Sequence, residues 1–158
     1  MDLETQRTSV AQAFNAMIVN LKAIEDPGDH VDINGVVCLN NRLDSFFPQL
    51  TTIVEFMPSH GDAINKKISD SGTWPTGGKH EDWVDKGADF DAWVVKVKDN
   101  FDTKQDIAVE VLEFIKDNVV GELSGDELYG PLIGYLRSLD VCVSGIYGYY
   151  IQNYEQGM

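Results

Sequence analysis

Apolar side chains recur along much of this chain at alternating intervals of three and four residues. That spacing places them on one face of an α-helix and is typical of helices that pack side by side at shallow angles. The first such stripe consists of Val10, Phe14, Met17, Leu21 and Ile24. It predicts a helix that ends at Asp26-Pro27-Gly28, because proline cannot continue a helix and glycine suits its C-terminal turn.

A second, longer stripe consists of Val36, Asn40, Leu43, Phe47, Leu50, Val54 and Met57. Pro48 lies within it. Because proline lacks the N–H that a helix interior needs, we expect this helix to be kinked or split there. Pro58 ends the stripe, and Ser59 is a suitable N-cap for a short third helix with Ile64 and Ile68 facing inward.

Residues 69–79 are dense in turn-forming residues and predict a loop. The stripe that follows the loop consists of Trp83, Gly87, Phe90, Val94, Val97 and Phe101. Asp102 and Gln105 then stand at the spacing of a capping box, so they predict that a separate fifth helix begins here. Gly121 ends this helix, whose apolar positions are Ile107, Val111, Phe114 and Ile115.

The last third of the chain predicts a long sixth helix. Ser124 and Glu127 form a second capping box ahead of it, and its apolar stripe consists of Leu132, Leu136, Leu139, Val143, Ile146 and Tyr150. Residues 141–151 are mostly β-branched or aromatic, so a strand is the alternative there. If the segment is helical, it has a side of small residues that lets another helix approach closely: Gly134, Ser138, Cys142, Gly145 and Gly148.

These stripes together predict an all-α fold, a single-domain irregular antiparallel bundle of five or six helices over residues 1–158. A chain of 158 residues is long enough to bury a core without disulfides or metals. One residue on the apolar stripe of each main helix is expected to be buried: Phe14, Leu43, Val94, Phe114 and Leu136.

The chain shows no sign of export or of membrane insertion. Its first five residues contain no basic stretch before an apolar run, so we expect no secretory signal. The most apolar window, 128–151, contains Arg137 and Asp140, which are expensive in a bilayer. Cys38 and Cys142 each lie in an apolar segment and are expected to be reduced core residues. We therefore expect a cytoplasmic protein that does not enter membranes.

Acidic residues dominate the charge. The chain carries 26 Asp and Glu against 12 Lys and Arg, a formal charge of −14 at pH 7. Fourteen acidic and five basic residues fall between positions 81 and 127, in segments that also predict helix. Such an excess costs folding free energy through self-repulsion. It argues against direct binding to nucleic acids and anionic membranes, which requires clustered Lys and Arg.

No motif for catalysis, a cofactor or a metal is recognisable. The segment 72–79 resembles a phosphate-binding loop only superficially, because five residues rather than four precede its Gly-Lys and a histidine follows it. His30, His60 and His80 have carboxylates nearby, but without the i,i+3 or i,i+4 spacing of metal ligands on a helix. Neither cysteine has a local histidine. We expect no catalytic residue, no cofactor and no metal.

The acidity has two interpretations: it serves solubility or salt adaptation, or it imitates the charge of nucleic acid and occupies a basic protein surface. Our leading hypothesis is a non-enzymatic acidic binding protein, an inhibitor, immunity-type antagonist or nucleic-acid mimic with a basic protein partner. Trp74 joins the predicted partner-binding residues because large loop aromatics often anchor interfaces, although it is equally suited to plug the core. The other members avoid the apolar positions of their helices and are expected to be solvent-exposed and mostly unpaired: Asp85, Asp89, Asp99, Asp106, Glu110, Glu113 and Asp117.

Two further hypotheses remain. In the first, the chain is a helical assembly protein that forms a homo-oligomer through its Gly- and Tyr-rich C-terminal helix. In the second, it is a helical protein that binds a cofactor or metal. Salt distinguishes the acidic binding protein from the assembly protein, because an electrostatic binder loses its partner at high salt whereas a self-assembler does not.

Overall fold

The computed structural model describes residues 2–24, 33–70, 90–128 and 131–152. Within these ranges the chain forms six α-helices and one 3-10 helix, Val120–Glu122, and no strand. The α-helices are α1 (Leu3–Lys22), α2 (Ile33–Val54), α3 (Gly61–Asp70), α4 (Phe90–Asn118), α5 (Gly125–Leu128) and α6 (Pro131–Tyr150). The predicted all-α bundle is therefore confirmed.

The four long helices form the bundle. α4 packs against α1 and α2, and α6 packs against the same two helices. In the described part of the chain, α4 and α6 therefore lie at opposite corners of the bundle. The short helix α3 packs against α4.

Side-chain bonds show that α1 and α4 run in opposite directions. Near the start of α1, Arg7 Nε donates to the carbonyl oxygen of Leu123, beyond the end of α4, at 3.0 Å. At the other end of α1, Gln105 Nε2 donates to the carbonyl oxygens of Leu21 and Ile24 at 2.5 and 2.8 Å. The order of these contacts is reversed along the two helices, so they are antiparallel.

Aromatic contacts show that α2 and α6 also run in opposite directions. Just beyond the end of α2, the ring of Phe56 stacks on that of Tyr135 near the start of α6, with 4.9 Å between centroids. Further back in α2, the guanidinium carbon of Arg42 lies 5.1 Å from the centroid of the Tyr149 ring near the end of α6.

The prediction of a separate fifth helix beginning at Asp102 is wrong, because Phe90–Asn118 is one continuous helix. Gln105 is not part of a capping box. Its side chain instead binds carbonyl groups at the C-terminal end of α1, which have no donor within their own helix. The helix ends at Asn118, and Gly121 lies in the 3-10 helix that follows. Trp83 and Gly87, from the predicted fourth stripe, are outside the described residues.

α2 passes through Pro48 without a break, so the proline does not split it. Proline removes one helical bond, the bond that the carbonyl of Asp44 would accept. Pro48 itself lies on the exposed side, whereas Phe46, Phe47 and Leu50 are buried on the other side. Packing of this buried face holds the helix together across the missing bond.

The predicted capping box is present, but it opens a short helix. The Ser124 N–H donates to Glu127 Oε1 at 3.0 Å, and the Glu127 N–H donates to Ser124 Oγ at 3.2 Å. This box begins α5, which ends at Leu128, so the prediction of one long helix after it is wrong. The long helix begins at Pro131, and proline is favoured at the first position of a helix.

α6 is helical to Tyr150, so the alternative of a strand at 141–151 is wrong. Its predicted apolar stripe is buried in full: Leu132, Leu136, Leu139, Val143, Ile146 and Tyr150. Burial of this face outweighs the weak helix propensity of the β-branched and glycine residues. Among the described residues, none of the helices combines the length and the apolar character that a membrane span needs.

A hydrophobic cluster fills the space between the long helices. Phe14, Leu43 and Leu136 belong to it and are buried as predicted. Phe114 is only partly buried, so its assignment to the core is wrong. Its neighbour Ile115 is fully buried, and one residue turns a helix by about 100°, which moves Phe114 to the edge of the cluster. The side chain of Val94 lies outside the described part of the structure.

Candidate protein-binding surface

α4 carries a row of carboxylates on one face. We call this row the acidic stripe; it consists of Asp99, Asp102, Asp106, Glu110, Glu113 and Asp117. Successive members are three or four residues apart, so they follow one side of the helix over about 27 Å at 1.5 Å per residue. The opposite side of α4 is buried and includes Phe101, Ala108, Val111 and Ile115. The helix therefore presents its acidic side away from the bundle.

Three carboxylates in the first part of the acidic stripe are not neutralised. Asp99, Asp106 and Glu110 are exposed, as predicted, and none forms a salt bridge with another described residue. These three positions span three turns of the helix and form the part of the stripe that is open to an opposite charge. Asp102 lies on the same face and is also exposed.

The second part of the stripe differs from the prediction. Glu113 Oε1 lies 2.7 Å from Nζ of Lys22 in α1, and the Glu113 side chain is only 38% exposed. The expectation that this carboxylate is fully exposed and unpaired is therefore wrong, because α1 brings a lysine to it. Asp117 is exposed, as predicted, with Lys116 Nζ 3.8 Å from its Oδ1.

Three of the predicted partner-binding residues, Trp74, Asp85 and Asp89, are outside the described residues. In the described part of the chain, Asp102 lies on the same face as the predicted carboxylates. The sequence pattern suggested a capping box there, although the spacing of three from Asp99 and four from Asp106 already placed Asp102 on this face.

The acidic stripe does not stabilise its own helix. Like charges three or four residues apart repel each other, typically by a few tenths of a kcal/mol per pair. The pairs Asp102–Asp106, Asp106–Glu110 and Glu113–Asp117 all have the four-residue spacing. Asp117 also lies in the last turn, where the helix dipole disfavours negative charge. Helix stability alone therefore gives no reason for this arrangement.

We accordingly expect that Asp106→Lys increases the free energy of unfolding by about 0.5–1 kcal/mol. The change removes two like-charge pairs and places a lysine four residues from both Asp102 and Glu110. Denaturant unfolding at low salt measures the difference, and high salt should diminish it. A destabilised variant would contradict the exposed and repulsive environment described for Asp106.

A buried cation lies on the inner side of α4. Lys104 has no exposed surface, and its Nζ forms a salt bridge with Asp44 Oδ1 in α2. Burial lowers the pKa of Lys104, and the hydrogen bond and charge of Asp44 offset only part of that effect. The sequence analysis missed this pair, although Lys104 lies between Phe101 and Ala108 at core spacing, where a lysine is unusual.

Glu127 has a structural role in the capping box. Burial raises its pKa, but the hydrogen bonds from Ser124 and the nearby backbone of Ser59 and charge of His60 hold the pKa below its ordinary value. The turn between α2 and α3 therefore lies beside the capping box of α5. Among the described residues, no group of three or more His, Cys, Asp or Glu is arranged to hold a metal ion.

The fold and its surface together define an all-α protein with an acidic face on one long helix. Comparisons of the chain with protein families, with curated proteins and with solved structures found no match. The functional argument therefore depends on the chemistry of the acidic stripe and of the surfaces around it.

Proposed function

We propose that this is a non-enzymatic binding protein that presents the acidic stripe to a basic protein partner, as an inhibitor, an immunity-type antagonist or a nucleic-acid mimic. The observation that carries the proposal is the exposed row of Asp99, Asp106 and Glu110, which no described lysine or arginine neutralises. Complementary charge across an interface steers association and contributes to specificity.

The alignment of the charges favours recognition over solubility. Carboxylates scattered over the surface would give the same net charge without repulsion between neighbours on one helix. Here the carboxylates share one face and repel each other. A partner with lysines and arginines along a matching row would relieve that repulsion on binding.

The position of the acidic stripe suits an interface. α4 packs against α1, α2 and α3 with its buried side, so the stripe is held on a helix that the bundle makes rigid. Functional groups on a packed helix are placed more accurately than groups on a loop. The stripe is also long enough to face a basic protein surface of the kind that binds a nucleic-acid backbone.

The proposal is tested by affinity capture from the native lysate on the immobilised protein. We expect a basic protein to be retained at low salt and released at moderate salt, because screening weakens contacts between exposed charges. Retention of no basic protein, or retention that salt does not change, would contradict an electrostatic partner.

A further inference from the structure

The outer face of α6 has features that packing within this chain does not explain. Gly134, Gly145 and Gly148 lie inside the helix, where glycine is unfavourable. Among the described residues, a Cβ added at Gly134 or Gly148 would meet nothing within 4 Å, and at Gly145 it would meet Arg42 Nη1 at 4.0 Å. The described part of the bundle therefore leaves room for alanine at all three positions.

The same face carries an exposed apolar side chain and is bordered by grooves. Val141 is 71% exposed, more than any other large apolar side chain in the described residues. A groove of about 190 Å³ lies between α1 and α6, with Val10 and Ile133 in its walls. A second groove of about 320 Å³ lies between α2 and α6 and is lined by Arg42, Val141 and Gly145. Small residues on the ridge between two grooves allow another helix to approach the backbone closely.

The charges of α6 are self-complementary. Its sequence contains one basic and one acidic residue, Arg137 and Asp140, three positions apart. The charges cancel, and α6 lies at the corner of the bundle opposite α4 and its acidic stripe. For a chain with a formal charge of −14, this side is a surface where a second copy approaches with little direct repulsion from the stripe.

We propose that the outer face of α6 binds a second copy of the chain. The two α6 helices cross antiparallel about a twofold axis that passes between positions 138 and 139. In such a symmetric interface, every contact occurs twice with the roles exchanged. Arg137 of each copy then faces Asp140 of the other, and Val141 of each copy covers the space between Gly134 and Ser138 of the other.

The response to salt distinguishes this interface from the acidic stripe. Dimer formation buries apolar side chains and does not depend on opposite net charges, so the dimer persists as salt is raised. Capture of a basic partner by the acidic stripe weakens under the same conditions. Either property can therefore fail without the other.

The test is sedimentation equilibrium of the chain over a range of protein concentrations at low and high salt. We expect a reversible monomer–dimer equilibrium that persists at high salt. Val141→Asp should weaken it by about tenfold or more, because a carboxylate would be buried against the second copy. Val19→Asp is the matched control, since Val19 is 56% exposed on α1, and it should leave the equilibrium unchanged.

A charge swap tests the register. Arg137→Asp and Asp140→Arg should each weaken the dimer because like charges then meet across the axis, and the double variant should restore it. Thermal unfolding of each variant checks that the fold is intact. A chain that stays monomeric at every concentration and salt would overturn the proposal. The proposal would also be overturned if Val141→Asp and Val19→Asp had equal effects on the dimer, or if the double variant did not restore the dimer.

Discussion

Phe14→Ala is expected to lower the free energy of unfolding by about 4 kcal/mol. Phe14 has no exposed surface and lies in the middle of the buried face of α1. Truncation loses the transfer free energy of the ring and leaves a cavity that the four surrounding helices can only partly close. Because a typical domain is stable by only about 5–15 kcal/mol, the variant should unfold at clearly lower denaturant concentration.

Phe114→Ala is the matched control for this prediction. Phe114 is only partly buried at the edge of the hydrophobic cluster, so water reaches the site after truncation and no closed cavity forms. We expect a loss below about 2 kcal/mol, in keeping with the smaller apolar area removed from water. Equal losses in the two variants would show that the orientation of α4 relative to the core is incorrect.

Asp44→Ala is expected to lower the free energy of unfolding by about 3 kcal/mol. The change removes the carboxylate that forms a salt bridge with Lys104, whose side chain is fully buried. Loss of a charged partner destabilises a buried charge, and the partial exposure of Asp44 places the loss at the lower end of the range for buried pairs. Lys104→Met should cost less than about 1 kcal/mol, because methionine keeps most of the packing. In that variant Asp44, whose side chain is 39% exposed, remains accessible to water.

The effect of Asp44→Ala should depend on pH. Burial lowers the pKa of Lys104 in the native state below its ordinary value of 10.5. Between the native and unfolded pKa values the unfolded chain binds more protons, so this residue makes stability rise with pH. Without Asp44 the native pKa of Lys104 falls further, so the deficit should shrink as pH rises from the native pKa in the variant to the native pKa in wild type, and stay constant above it. A deficit that does not change with pH, or a larger loss in Lys104→Met, would contradict a buried charged lysine.

The helices could be predicted because periodicity records which side of each helix is buried. α1 shows this most clearly, since all five members of its stripe are buried. The same signal predicted the buried side of α6, where local propensity pointed toward a strand. Burial within the bundle therefore outweighs local propensity in α6, and the spacing of its apolar residues already indicates which side is buried.

Local signals failed where the partner is distant in sequence. Gln105 has the spacing of a capping residue, but its side chain binds the end of α1, more than eighty residues away. Pro48 predicts a kink or a split in α2, and the helix is not split, because its buried face packs into the bundle. Neither outcome follows from the local sequence, because both depend on how the helices pack together.

The candidate site was predictable only in part. The exposure of Asp99, Asp106 and Glu110 could be predicted, because residues that avoid the apolar stripe of a helix point to solvent. Their common face could not, because the predicted helix boundary at Asp102 placed Asp99 and Asp106 on different helices, whereas α4 is continuous. The neutralisation of Glu113 could not be predicted, since Lys22 belongs to α1 and reaches it only through the antiparallel packing of the two helices.

The most direct test of the acidic stripe compares two triple variants with the same net charge. The first, Asp99→Lys, Asp106→Lys and Glu110→Lys, reverses the exposed part of the stripe. The second, Glu55→Lys, Asp62→Lys and Glu122→Lys, reverses three exposed carboxylates elsewhere on the described surface. Both change the formal charge of −14 by the same amount, and thermal unfolding of each checks that it is folded.

The dissociation constant for the captured basic partner is then measured for wild type and both variants at low and moderate salt. We predict that the first variant binds about tenfold more weakly than the second, because three contacts become repulsive only in the first. The difference should shrink as salt is raised. Equal affinities of the two variants would contradict the account, because the partner would then respond to net charge and not to the acidic stripe.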